Sequence, residues 1–259
     1  MKIYQVDAFT KNVFSGNPAA IVPLEEWLGD DLMQKIAVEN NLSETAFFVQ
    51  KSDGSFKIRW FTPETEVNLC GHATLASAHV IFEFLGFTGG KVEFESNSGP
   101  LSVRKERGHY WMDFPSNPPG AIPVPKLLPE AIGVIPIYTG INTDLLVLVQ
   151  DEKTVRTIQP DLLILKKMEV RGVILTAPGS GDVDFVSRFF APAVGVPEDP
   201  VTGSAHTVLT PFWAKRLNKK KLKARQISKR GGDLICTQQN GRVEIGGHAV
   251  TYMIGDISF

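Results

Sequence analysis

The sequence predicts a mixed α/β protein made of two similar halves, each a sheet curled around one central helix. Three observations carry this. The chain has 259 residues, enough for two domains of ordinary size. Residues 56–79 and 184–207 read as two copies of one motif. The helix that ends the first copy is apolar on nearly every side, so it must lie buried inside a sheet that wraps it.

The elements of the first half follow in order. Residues 2–9 and 46–49 are strand-like. Asp30–Asn40 is an amphipathic helix with Leu32, Met33, Ile36 and Ala37 on one side, and Asn40-Asn41 supplies a left-handed stop. Asp53-Gly54 is a hairpin turn between residues 47–51 and 55–61. Each copy of the motif then has Arg-aromatic-Phe-small-Pro (Arg59 to Pro63, Arg188 to Pro192), an acidic loop, and a Gly-polar-Ala helix start. Those starts are Gly71-His72-Ala73 and Gly203-Ser204-Ala205. The helices run over residues 72–85 and 204–217; Pro211 inside the second should kink it or shorten its hydrogen-bond ladder. Gly99-Pro100-Leu101 pairs with Gly232-Asp233-Leu234, 133 places on, which sets Cys236 opposite Val103. Residues 16–22 resemble 141–147. The halves are expected at 1–117 and 118–259, with the final strand free to return to the first half.

Composition narrows the function. With 27 basic and 28 acidic residues, the formal charge of −1 argues against a nucleic-acid or anionic-membrane partner. No apolar run approaches the ~18–20 residues that span a bilayer. The opening MKIYQVDAFTKNVF lacks the apolar core of a signal peptide, and two cysteines are too few for a secreted disulfide framework. A cytoplasmic protein is expected.

Candidate chemistry gathers at the two helix starts. Each offers unpaired N–H groups and partial positive charge, and glycine allows close backbone approach, so the pair could grip a carboxylate. Glu44 enters an otherwise apolar strand in Leu42-Ser43-Glu44-Thr45-Ala46-Phe47-Phe48; poorly hydrated beside a cleft, it would suit general-base work. The repeat sets it opposite residues 171–173, so the second half has no matching carboxylate. Asp199 either supports the second helix start or takes part in proton transfer. His72 could relay a proton or bind substrate.

Other signals yield nothing. Gly179-Ser180-Gly181-Asp182 looks phosphate-like but matches the Asp53 turn, and the five histidines show no metal-ligand spacing, so no metal is expected. Residues 215–230 hold nine basic residues and no acid, the mark of a solvated helix end and loop.

NLSETAFF, RWFTP, CGHATLA and EDPVTGSAH, with the opening VDAFT…GNPAAIV, resemble the PhzF-like phenazine-biosynthesis family. The resemblance implies a diaminopimelate-epimerase-like fold with the active site between the halves. It also implies a cofactor-free isomerase, usually a homodimer. The phenazine enzyme of that family isomerises trans-2,3-dihydro-3-hydroxyanthranilate by moving a proton between ring carbons. By motif, Glu44 would be the acid/base, with His72, Asp199 and Ser204 around the substrate and Gly71 and Gly203 giving backbone donors. Relatives in the wider superfamily use two opposed cysteines. Cys70 stands where the first would, but Thr202 fills the second place. The expected function is thus proton movement on a small cyclic carboxylic acid. The alternatives are an idle small-acid or protein-binding module and a cysteine-dependent epimerase.

Overall fold

The computed structural model describes residues 1–259, which form two units. One comprises Met1–Asp113 with Gly246–Phe259, the other Phe114–Ile245.

The first unit begins with β1 (Lys2–Ala8), β2 (Asn17–Leu24), α1 (Asp30–Asn40), β3 (Glu44–Gln50), β4 (Phe56–Phe61) and β5 (Glu66–Val67). It continues with α2 (Gly71–Phe84), β6 (Lys91–Ser96), β7 (Gly99–Glu106) and β8 (His109–Pro115), within which the chain leaves for the second unit. β1 and β2 are antiparallel, β2 and β3 parallel, β3 and β4 antiparallel. β4 is parallel to β6, and β6, β7 and β8 continue antiparallel. α2 packs against β1, β2 and β3 and also against β7, so the sheet curls around it. Every residue from His72 to Ile81 is buried, as a helix apolar on all sides requires. On the outer face, Met33, Ile36 and Ala37 of α1 pack against Ala20, Val22 and Phe47. α1 stops at Asn41, left-handed at φ 48, where the sequence predicts a stop.

The second unit contains β9 (Gly120–Ala121), α3 (Leu128–Ile132), β10 (Tyr138–Ile141), β11 (Leu145–Leu148), α4 (Glu152–Thr157) and α5 (Leu162–Lys166). There follow β12 (Val173–Pro178), β13 (Phe185–Ala191), β14 (Val196–Asp199), α6 (Gly203–Leu217), β15 (Lys221–Gln226), β16 (Gly232–Gln239) and β17 (Arg242–Gly247). Its strand order repeats the first: β11 and β12 parallel, β12 and β13 antiparallel, β13 and β15 parallel, β15 and β16 antiparallel. α6 packs inside, with Trp213 stacked on Phe185 and bonded to Thr176. The final strand, β18 (Ala249–Asp256), pairs antiparallel with β1 in the first unit.

The repeat extends to side chains. Arg59 forks onto Glu66 and lies over Phe61; Arg188 forks onto Glu198 and lies over Phe190. The acidic loop of each motif copy therefore supplies the carboxylate that its strand arginine clamps. Two hairpin turns, Arg107-Gly108 and Asn240-Gly241, have positive φ at both residues, the geometry that matches strand twist.

One sequence expectation acquires a mechanism and another is corrected. α6 continues through Pro211 to Leu217. Proline gives no N–H to the Thr207 carbonyl, and the backbone N–H of Asn117 takes that place at 3.0 Å. The basic tract leaves the end of α6 as expected, but the expected loop is instead strand β15, whose alternation buries Leu222, Ala224 and Gln226 and turns its basic residues outward. Lys219 pairs with Asp184, Lys223 with Asp182 and Arg225 with Asp233. Gly179-Ser180-Gly181-Asp182 is the turn between β12 and β13. No helix is long and apolar enough to cross a membrane.

Candidate active site

In the first unit, parallel pairing of β2 with β3 sets Ala19 opposite Glu44, so the first residue of β3 lies near Asn17 at the start of β2. The chain enters α2 at Gly71 from an extended Cys70, and no side chain caps the helix start. Its first N–H groups are thereby left for other acceptors.

Glu44 and His72 meet here. Oε2 of Glu44 and Nε2 of His72 are 3.1 Å apart, with 18% and 7% of their side chains exposed. Both atoms are buried and neither makes an aligned hydrogen bond. On the other edge of the ring, Asn17 Nδ2 lies 3.2 Å and Cys70 Sγ 3.4 Å from Nδ1. Ser43 Oγ in turn donates to Asn17 Oδ1 at 3.3 Å. Burial opposes a charge on His72, but Cys70 and Glu44 outweigh it and hold the ring's proton well above the ordinary histidine range. Burial, together with repulsion from Glu44, pushes the Cys70 thiol up to about 11. The thiol is therefore uncharged at neutral pH, and the Glu44 carboxylate is the charge that supports an imidazolium. Both groups at Nδ1 can serve either state of the ring, the sulfur because it donates and accepts, the amide by turning over.

Glu44, Cys70 and His72 place three metal-ligating atoms within 4.8 Å of one another. Cys70 Sγ lies 3.4 Å from Nδ1 and Glu44 Oε2 lies 3.1 Å from Nε2.

In the second unit, Asp199 lies at the end of β14 and Oδ2 accepts from Thr202 Oγ1 at 2.5 Å. Gln226 accepts from the Thr202 N–H at 2.9 Å and donates to the Asp199 carbonyl at 2.7 Å. Asp199 thus holds the residue from which α6 starts, and the α6 start, like that of α2, has no side-chain cap. Gly203 is buried and Ser204 half-buried in its first turn. Arg171 Nη2 donates to Ser204 Oγ at 3.2 Å.

The register of the two units fixes what the sequence offset left as a range. Phe47 is opposite Arg59, and Leu175 opposite Arg188, so Gly172 occupies the place of Glu44. A Cβ there would meet the Phe189 ring at 2.3 Å. No base fits in the second unit at that position.

The structure brings Glu44 and His72 into contact beside Gly71, and gathers Asp199, Gly203 and Ser204 at the start of α6. Sequence reasoning missed Asn17, Asp144 and Gln226 and gave Arg171 no role. Asn17 had a signal, since it recurs as Asn142 in the repeated segment.

The two cysteines do not occupy matching places in their units. Cys70 precedes α2, whereas Cys236 is fully buried in β16 with its thiol pushed by burial up to about 12.

Residues 6–255 match the model of the PhzC-PhzF family, described as phenazine biosynthesis-like protein. An uncharacterized isomerase of Pseudomonas aeruginosa is 52% identical over 99% of this chain and 98% of its own. The crystal structure of a PhzF-family phenazine biosynthesis protein from Enterococcus faecalis superposes with a TM-score of 0.97 at 47% identity, covering 100% of this chain and 99% of that one. A predicted epimerase of Pseudomonas aeruginosa shares the fold at 19% identity and a TM-score of 0.76, covering 99% and 98% of the two chains. The fold is diaminopimelate-epimerase-like.

Proposed function

The chain belongs to the phenazine biosynthesis-like family, and on that premise we propose that it is a cofactor-independent isomerase that moves a proton on a small cyclic carboxylic acid. Glu44 removes a proton from a carbon next to an electron-withdrawing group. The C–H electron pair passes into the neighbouring π-system, and Glu44 returns the proton to another carbon on the same face. Atoms and charge balance without an oxidant or a second substrate. Isomerisation of trans-2,3-dihydro-3-hydroxyanthranilate is the model for this step.

One observation carries the reading: a carboxylate oxygen buried against an imidazole at 3.1 Å, with no aligned bond on either atom. Such a carboxylate is held in place without being used up, and the ring beside it can steady either protonation state. His72 accordingly tunes and orients Glu44. In the first unit the Gly71 amide, and in the second unit the Gly203 amide with the Ser204 hydroxyl, serve as donors to anionic groups, and Asp199 keeps Thr202, and with it the α6 start, in place. A homodimer in the cytoplasm belongs to the same proposal. Cysteine-dependent epimerisation has no comparable support, since Cys70 is an uncharged buried thiol.

The test is to incubate the protein with cyclic unsaturated carboxylic acids in D₂O and follow carbon-bound deuterium by NMR. Wash-in on one or more of them is expected. Binding of such an acid with no wash-in at any carbon, over days, overturns the proposal in favour of a binding module.

A further inference from the structure

We propose that Arg171 is a specificity-determining residue of the second unit that grips the carboxylate of a small organic acid, a deepening that rests on the reading of the protein as a small-acid isomerase. Arg171 immediately precedes Gly172, the place that in the first unit holds Glu44. Its guanidinium is fixed on three sides. Nε donates to Asp144 Oδ1 at 2.9 Å and Nη2 to Asp144 Oδ2 at 2.5 Å. Nη2 also reaches Ser204 Oγ at 3.2 Å, and the plane lies over the Phe189 ring, 5.7 Å from its centroid.

Asp144 is 0% exposed, whereas the Arg171 side chain keeps 41% of its surface. The carboxylate therefore lies behind the guanidinium, and what faces outward is donors only, with both N–H groups of Nη1 uncommitted. Beside them are the Ser204 hydroxyl and the uncapped first turn of α6, a helix of 15 residues with partial positive charge at that end. An arginine normally loses much side-chain freedom on gripping a ligand; here Asp144 has already imposed that order. The fork geometry suits a planar carboxylate.

Gly172 belongs to the same design. A Cβ there would lie 2.3 Å from Phe189 and 3.1 Å from Asp144 Oδ1, so any side chain would push apart the groups that hold the arginine. Asp144 is the positioning residue and Arg171 the gripping one.

Calorimetric titration with benzoate and 1-cyclohexenecarboxylate, each against its neutral amide, tests this. The parent protein is expected to prefer each acid over its amide by about tenfold or more. Arg171→Ala alone leaves Asp144 buried without a partner and risks the fold, so the informative variant is Asp144→Ala/Arg171→Ala. It should keep the parent near-ultraviolet circular dichroism and lose nearly all preference for the acid. Arg171→Lys, which keeps the charge and loses the fork, should fall between. A folded double variant with the parent's acid preference overturns the proposal, as does a parent that binds neither acid at tens of millimolar. The same titrations in Glu44→Gln separate the two readings: acid preference there should match the parent's, while proton transfer is judged only by deuterium wash-in.

Discussion

Oε2 of Glu44 and Nε2 of His72 lie 3.1 Å apart in the interior of the first unit, close enough for an ion pair but out of line for a hydrogen bond. Leaving a buried polar atom without an aligned partner costs about 1–3 kcal/mol. Catalytic contacts in unliganded sites commonly tighten only when substrate arrives.

Replacing that carboxylate isolates its chemistry. Glu44→Gln preserves shape and removes the ability to take a proton, so turnover should fall by ~10²–10⁴-fold. The variant should stay folded but melt lower at neutral pH, because the His72 ring loses the carboxylate that supports its proton. Deuterium wash-in on the identified substrate and a thermal melt check both halves; a variant that turns over at the parent rate removes Glu44 as the base.

His72 should make itself felt in the pH dependence of stability. Its folded ring holds a proton more tightly than the unfolded chain does, with burial opposing and Cys70 and Glu44 prevailing. The folded state therefore binds more protons, and stability from this group is complete below about pH 6.5 and lost as pH rises through the folded value. The melting-temperature difference between parent and His72→Gln should shrink steadily from pH 6 upward. A difference that widens with pH contradicts this account of the site.

Much of the site was legible because its residues are local. Glu44 announced itself as a carboxylate in an apolar strand, and the central helices by Gly-polar-Ala starts and an absence of polar faces. What the sequence hid is joined across distance. Arg171 and Asp144 are 27 residues apart and meet only because β11 and β12 run parallel, with α4 and α5 between them. Gln226, which holds Thr202 and Asp199, comes from the strand after α6. The consequence of Pro211 was unreadable for the same reason: the donor that replaces its missing N–H is Asn117, whose side chain also bonds Thr207, 90 residues away. The bond that Asp199 accepts from Thr202 was hidden as well, since only the folded loop supplies it.

His206 should act on the acid side. It is fully buried in α6, donates from Nδ1 to the Thr202 carbonyl at 2.8 Å, and has no partner for Nε2. Charging it would create a second buried donor with nothing to accept it, and burial lowers its pKa to about 4. The unfolded chain binds the proton first, so stability falls as pH drops from about 6.5 toward 4, by roughly 3 kcal/mol in all. Urea titrations of parent and His206→Gln over that range should show the parent losing more. Parallel losses would mean that His206 stays neutral in both states.

The duplicated arginine clamps offer a comparison within one chain. Arg188 is 6% exposed; besides its fork to Glu198, Nη1 donates to the carbonyls of Val155 and Ile158 at 3.1 and 2.6 Å. Arg188→Met strands all of these acceptors and should cost about 3–5 kcal/mol. Arg59 has a more open side chain, 22% exposed, and ties Glu66 to Asp30. Arg59→Met should cost about 1–2 kcal/mol, because water replaces most of what is lost. Equal costs by chemical denaturation would show that burial does not set the worth of the motif.

Thiol chemistry gives the sharpest contrast with Glu44. Cys70 is 6% exposed, and its thiol, pushed by burial up to about 11, carries almost no thiolate at pH 7.5. Its sulfur touches His72 Nδ1, but Asn17 serves the same nitrogen, so Cys70→Ala should lower turnover by less than about tenfold while Glu44→Gln lowers it far more. Iodoacetamide at pH 7.5 should leave the native protein active and unmodified by mass spectrometry, and label both cysteines once urea unfolds it. Inactivation of the folded protein at a rate matching alkylation of Cys70 would require a reactive thiolate in the site, and proton transfer would then have to be reassigned from Glu44 to sulfur.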